Sequence, residues 1–226
     1  MSQVQPSQES TAAYIAPFLV YIGCMALDKV LPLPFLLLYT LRVVLAVATI
    51  AVVSRRVIPW RPSMALASTL IGVAVFAIWV APDLLWPGMR SHWLFKNSLT
   101  GTAQSSLSPD LKSNVAFLIL RIFGSVAVVP VLEELFWRGW LMRWLISSDF
   151  RKVPIGSYNP LAFWVTALLF ASEHGSYWEV GLIAGIIYNW WVIRTRNLAD
   201  CILAHAVTNA ILAAYVLAFD QWQYWL

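Results

Sequence analysis

Hydrophobic positions along this chain fall in long runs, and polar positions gather in the short gaps between them. The runs cover about 12–27, 31–53, 64–81, 114–147, 160–174, 178–193 and 199–219. A helix needs about 20 mostly apolar residues to cross the hydrocarbon core of a bilayer, where backbone polar groups must be satisfied within the segment. The pattern therefore predicts seven helical spans in an all-α, polytopic transmembrane bundle. The fourth run is too long for one upright span, since at ~1.5 Å per residue it would exceed roughly 50 Å. It must tilt, project from the membrane or bend, and Pro130 is its natural bend point.

Composition agrees with the pattern. The 226 residues are 60% hydrophobic and 12% charged, whereas a soluble domain is nearer about half apolar and about a quarter charged. Thirteen tryptophans fit a protein with two membrane–water interfaces, where indole rings concentrate. Nothing marks off a soluble module, so residues 1–226 read as one integral-membrane domain. The net charge of +4 comes without a dense Lys/Arg run, which argues against a nucleic-acid partner. The polar stretch Met1–Thr11 has no Lys or Arg and precedes no cleavage site, so the first run is expected to stay as a membrane helix.

Loop charge carries a topology signal. Arg55, Arg56, Arg61, Arg143, Arg151, Lys152, Arg194 and Arg196 fall in loops on one side, and Lys29, Arg90, Lys96 and Lys112 on the other. The positive-inside rule places the first set, with the N-terminus, in the cytoplasm. The longest loop, about 82–113, is then external and positioned to cover part of a cavity. Cys24 and Cys201 lie in apolar stretches away from metal spacing and read as small core hydrophobes. Gly181 and Gly185 form a G-x-x-x-G that reads as close helix packing.

Against this background the segment Leu132-Glu133-Glu134-Leu135-Phe136-Trp137-Arg138 stands out. Ionisable residues within a bilayer are costly, by roughly 2.5–3.5 kcal/mol each on insertion scales, and usually functional. Two further pairs lie downstream. Glu134 with Arg138, Phe170 with His174 and His205 with Asn209 are each spaced i, i+4, which sets each pair on one helix face. Glu134 is placed to pair with Arg138. Glu133 points about 100° away around the helix, where apolar surroundings and a like-charged neighbour suit it to act as a general base on water. An imidazole N–H and the Asn209 amide can serve a developing oxyanion, and His174 can help Glu133 hold the water. Phe170 reads as wall packing. His92, in a loop, is left out.

Each piece alone has a plainer reading: a structural ion pair, or a histidine bonded between helices. Two non-enzymatic alternatives follow, a membrane scaffold or immunity-type protein and a proton-coupled transporter. The transporter lacks the inverted repeats expected of it.

The three motifs Glu133-Glu134-x-x-x-Arg138, Phe170-x-x-x-His174 and His205-x-x-x-Asn209 resemble, in order and spacing, those of the CAAX-protease and bacteriocin-processing (CPBP, or Abi) intramembrane proteases. The resemblance spans a catalytic core over 114–219. It implies a bundle of about 7–8 helices around a water-accessible cavity, and an endopeptidase acting on a protein or peptide at the membrane. The chain is similar in its Trp-rich, short form to the exosortase-associated subgroup. By resemblance Glu133 activates water, Glu134 and Arg138 support it, and His174, His205 and Asn209 complete the site. The family was once thought metal-dependent, and Glu133, His174 and His205 would then be the ligands. No His-Glu-x-x-His helix is present, and no cofactor, zinc included, is expected. The resemblance implies a multi-pass protein of a bacterial inner (cytoplasmic) membrane. Glu173, directly before His174, departs from the pattern; the simpler expectation is that it faces water at a helix end. His174 also falls at the outer end of its run, so it meets Glu133 only if the fourth helix tilts or protrudes.

Overall fold

The computed structural model describes residues 10–28 and 30–225, so Lys29 and the polar start of the chain lie outside the described residues. Seven long helices follow the seven runs closely: α1 Thr11–Leu27, α2 Phe35–Thr49, α3 Ala65–Leu85, α4 Val115–Trp144, α5 Pro160–Ser172, α6 Trp178–Thr195 and α7 Leu198–Phe219. A short helix, Pro109–Ser113, precedes α4, and no strand occurs among the described residues. Local chemistry sets the boundaries. Asn114, Asn159 and Asn197 cap α4, α5 and α7 by accepting from backbone amides of Phe117, Ala162 and Ala199. Pro160 occupies the first turn of α5, where its missing N–H costs nothing.

The protein is an integral membrane protein, but its helices are unequal. α2 with its continuation to Ser54, α3, α4 and α7 are long and apolar enough to cross a bilayer. Only 22–33% of their most apolar stretches is buried inside the protein, which leaves their remaining surface for lipid. The other three helices are shorter or less apolar than these four. α1 and α5 have 17 and 13 residues. α6 has the length, but Glu179, Asn189 and Arg194 interrupt its apolar character. These three pack among the longer helices.

α4 passes Pro130 without ending. Wide, π-type turns at Gly124–Val128 and Leu135–Leu141 flank the segment Val129–Glu134. A proline ring collides with the carbonyl four residues back in a regular α-helix, and the wider turn before it relieves that contact. Such turns recur at functional sites. α3 and α7 approach closely at Gly72, where an added Cβ would lie 2.5 Å from the Ala204 carbonyl oxygen.

The loops gather at two ends. Asn197 Nδ2 donates to the Arg61 carbonyl, Ser63 and Met64 donate to Asp200, and Gly156 abuts Arg196. These contacts join the loops after α2, α4 and α6. At the other end Ser176 Oγ donates to the Thr100 carbonyl, Ser105 Oγ to that of Trp225, and Tyr177 Oη to that of Gln223. The division matches the two loop sets read from the basic residues, with one correction. Arg143 is buried: it donates to the carbonyls of Gly139 and Val153 and lies near the rings of Tyr14 and Phe150. It is a structural residue rather than a loop charge.

Candidate active site

Glu134 and Arg138 form a buried pair, with Nη1 3.1 Å from Oε1 and both side chains at 0% exposure. The pair is embedded in a wider set of bonds. Arg138 also donates from Nε to Asn189 Oδ1 at 2.8 Å and from Nη2 to the Gly185 carbonyl at 3.3 Å. Its guanidinium sits 4.5 Å from the Phe170 ring centroid, so Phe170 carries a cation–π contact besides filling space. Glu134 accepts from His205 Nδ1 at 2.9 Å and from the Cys201 thiol at 3.1 Å. Cys201, expected to be an inert core residue remote from the motifs, therefore touches the site. It precedes His205 by one helical turn, and that spacing was the signal that could have found it.

Glu133 points elsewhere. It lines a cavity of about 120 Å³ together with His174, His205, Asn209, Phe170, Trp79 and Tyr188. Glu133, His174 and Asn209 also line an adjoining cavity of about 350 Å³. His174 thus does meet Glu133, brought there by the α5–α6 turn. Glu173, at the C-terminal cap of α5, is exposed and lies on the wall of the larger cavity.

Hydrogen bonding fixes how both imidazoles face. His174 Nδ1 lies 2.8 Å from the Phe170 carbonyl oxygen. A carbonyl only accepts, so Nδ1 carries the proton and Nε2 is left with its lone pair. His205 Nδ1 is turned to the Glu134 carboxylate, and its Nε2 lies 4.0 Å from Glu133 Oε2. Tyr188 stacks on the His205 ring at 5.2 Å, with its hydroxyl tied to Thr208. Gly181 leaves room for the other ring, because a Cβ there would come within 3.0 Å of His174. The G-x-x-x-G is therefore a packing motif, as expected, and what it seats includes a motif histidine.

Asn209 is held by α4. In the wide turn the Val129 amide bonds back to Gly124, and Pro130, five residues after Ser125, has no N–H to offer. The Ser125 carbonyl is taken instead by Asn209 Nδ2 at 2.8 Å. The second N–H of that amide remains for the cavity.

Several residues of the buried cluster and of the cavity walls are absent from the motif reading. Asn189, fully buried on α6, bridges Arg138 and the Phe163 carbonyl. Arg42 and Arg121, on α2 and α4, reach the larger cavity near Tyr39, Tyr224 and Trp225. Among the described residues no three His, Cys, Asp or Glu side chains gather as a metal ion would require.

The fold and the site define a helical membrane protein with a buried carboxylate–guanidinium pair behind a cavity of convergent Glu, His and Asn groups. Residues 115–211, which hold all three motifs, match the family model described as Rce1-like, type II CAAX prenyl endopeptidase, and this match supports the resemblance to the CPBP family. No curated protein and no solved structure matches the chain.

Proposed function

We propose that this protein is an intramembrane endopeptidase that hydrolyses a peptide bond with water activated by Glu133. The observation that carries the reading is a division between neighbours. Glu133 shares its cavity with His174, His205 and Asn209, while Glu134 lies behind it, bonded to Arg138, His205 and Cys201. Glu133 Oε2 is buried and makes no hydrogen bond within the protein. The 4.0 Å between it and His205 Nε2 suits a bridging water better than direct contact.

The chemistry balances with the chain's own groups. The Glu133 carboxylate takes a proton from water, whose other hydrogen bond is accepted by His174 Nε2, and the hydroxide adds to the substrate carbonyl. Negative charge on the carbonyl oxygen is met by the second Asn209 N–H and by His205 Nε2–H. Nδ1 of His205 is committed to Glu134, so in this step the ring donates through Nε2 with both nitrogens protonated. Glu133 then returns its proton to the departing amine. No step draws on a metal, and we take the reaction to be metal-independent. The substrate is a protein or peptide presented at the bilayer, with no nucleic acid involved. A bacterial inner (cytoplasmic) membrane is the setting the family resemblance implies.

Purified protein incubated with a proteome-derived peptide library, with new termini read by mass spectrometry, tests this. Glu133→Gln should lower cleavage by at least about 10²-fold, the usual scale for losing a general base, while leaving the thermal unfolding midpoint in detergent unchanged. A chelator should leave wild-type cleavage intact. Full activity in Glu133→Gln would remove Glu133 from the chemistry and favour a scaffold.

A further inference from the structure

α6 carries none of the three motifs, yet it touches all of them: Gly181 lies against His174, Gly185 against Phe170 and Arg138, and Tyr188 against His205. Asn189 makes its most directional contact. The side chain is fully buried, and both ends of its amide are used. Oδ1 accepts from Arg138 Nε at 2.8 Å, and Nδ2 donates to the Phe163 carbonyl at 2.8 Å. These two bonds fix which way the amide points, so that Arg138 meets an acceptor rather than the amide's NH₂ group.

A guanidinium is planar, and fixing one edge orients the rest. With Nε held by Asn189 and Nη2 by Gly185, Nη1 is directed at Glu134 Oε1. The same Oε1 accepts from His205 Nδ1. A continuous path of hydrogen bonds therefore runs from the α5 backbone through Asn189, Arg138 and Glu134 to His205, whose Nε2 faces Glu133.

We propose that Asn189 is a positioning residue for the site: its carboxamide oxygen sets the plane of Arg138, and through Glu134 it sets the orientation of His205. Asn189 touches neither substrate nor water in this scheme. Its role in catalysis rests on the peptidase reading above, whereas its hold on His205 is a property of the folded protein and is measured separately.

Two substitutions separate positioning from packing. Asn189→Leu keeps the bulk and loses the acceptor. Asn189→Asp keeps an acceptor for Arg138 Nε and loses the bond to Phe163. The first readout is the low-field proton NMR signal of His205 Nδ1–H, which reports its bond to Glu134 without any substrate. The signal should persist in wild type and Asn189→Asp, and vanish or move to the amide envelope in Asn189→Leu. The second readout is cleavage of the peptide library. Asn189→Leu should lose roughly 10²-fold in kcat with KM little changed, as expected for a misplaced catalytic group, and Asn189→Asp should recover most of it. A His205 signal unaltered in Asn189→Leu overturns the proposal. So does the reverse order of activity, Leu active and Asp inactive, which is the outcome of pure packing. If wild type cuts nothing while the NMR pattern follows Asn189 as described, the peptidase reading fails and the positioning of His205 stands.

Discussion

Glu134 is the residue on which the buried polar groups converge: Arg138 and His205 share one of its oxygens and Cys201 takes the other. Replacing it by Ala leaves the Arg138 charge buried beside Asn189 and Phe170 with no counter-ion. Removing one partner of such a pair costs roughly 3–5 kcal/mol, whereas replacing both by apolar residues is often close to neutral. Thermal unfolding in detergent should therefore show a large drop for Glu134→Ala and a smaller one for the double change Glu134→Leu with Arg138→Met. A double variant less stable than the single one would mean that the pair itself stabilises the fold. At this scale the sequence pointed to residues that the structure brings together where two of them share a helix turn, as in Glu134–Arg138 and His205–Asn209. Asn189 was not legible, because its partners lie on α4 and α5 and no spacing within α6 points to them. Arg42 and Arg121 differ: they are cations inside apolar runs, where the cost of intramembrane charge marks them in the sequence itself.

Among the elements, α4 departs furthest from a regular helix, and the departure serves the site. Pro130 withholds an N–H from the Ser125 carbonyl, which leaves that oxygen to orient Asn209. Pro130→Ala restores an N–H and improves local helix propensity. The variant should unfold at the same temperature or higher, yet cleave the peptide library more slowly, by up to roughly 10²-fold, the scale of losing one oxyanion donor. Unchanged cleavage would show that Asn209 keeps its place without this carbonyl. The sequence located α4 and singled out Pro130, but not the wide turns on either side of it. Wide turns have no composition signature, since they arise when a helix accommodates a missing donor while its neighbours hold it in register. Helix limits were easier to read: runs beginning at 114, 160 and 199 start beside Asn114, Asn159 and Asn197, which cap those helices in the structure.

For the molecule as a whole, the order of apolar runs was enough to predict the all-α bundle and the sorting of its loops. It did not separate the four long apolar helices from α1, α5 and α6, although the runs at 12–27, 160–174 and 178–193 are already shorter than the roughly 20 residues of a full span. The two loop sets lead to a direct measurement. Cysteines introduced at Ser98 and at Tyr158, both exposed and in opposite sets, should react with an impermeant maleimide from opposite faces of the membrane. On the positive-inside assignment Tyr158→Cys reacts from the cytoplasmic face. Labelling of both positions from one face would mean that α4, the long helix between them, does not cross the membrane.

The larger cavity has its walls near Tyr177, Tyr224 and Trp225, beside the loops of the Ser98 set and away from the arginine-rich end. On the positive-inside assignment, a compound aimed at Glu133 reaches this cavity from the face opposite the cytoplasm. If the peptidase reading above holds, charged, membrane-impermeant peptidomimetics should block the protein when added to the Ser98 face of sealed vesicles and have no effect when added to the Tyr158 face.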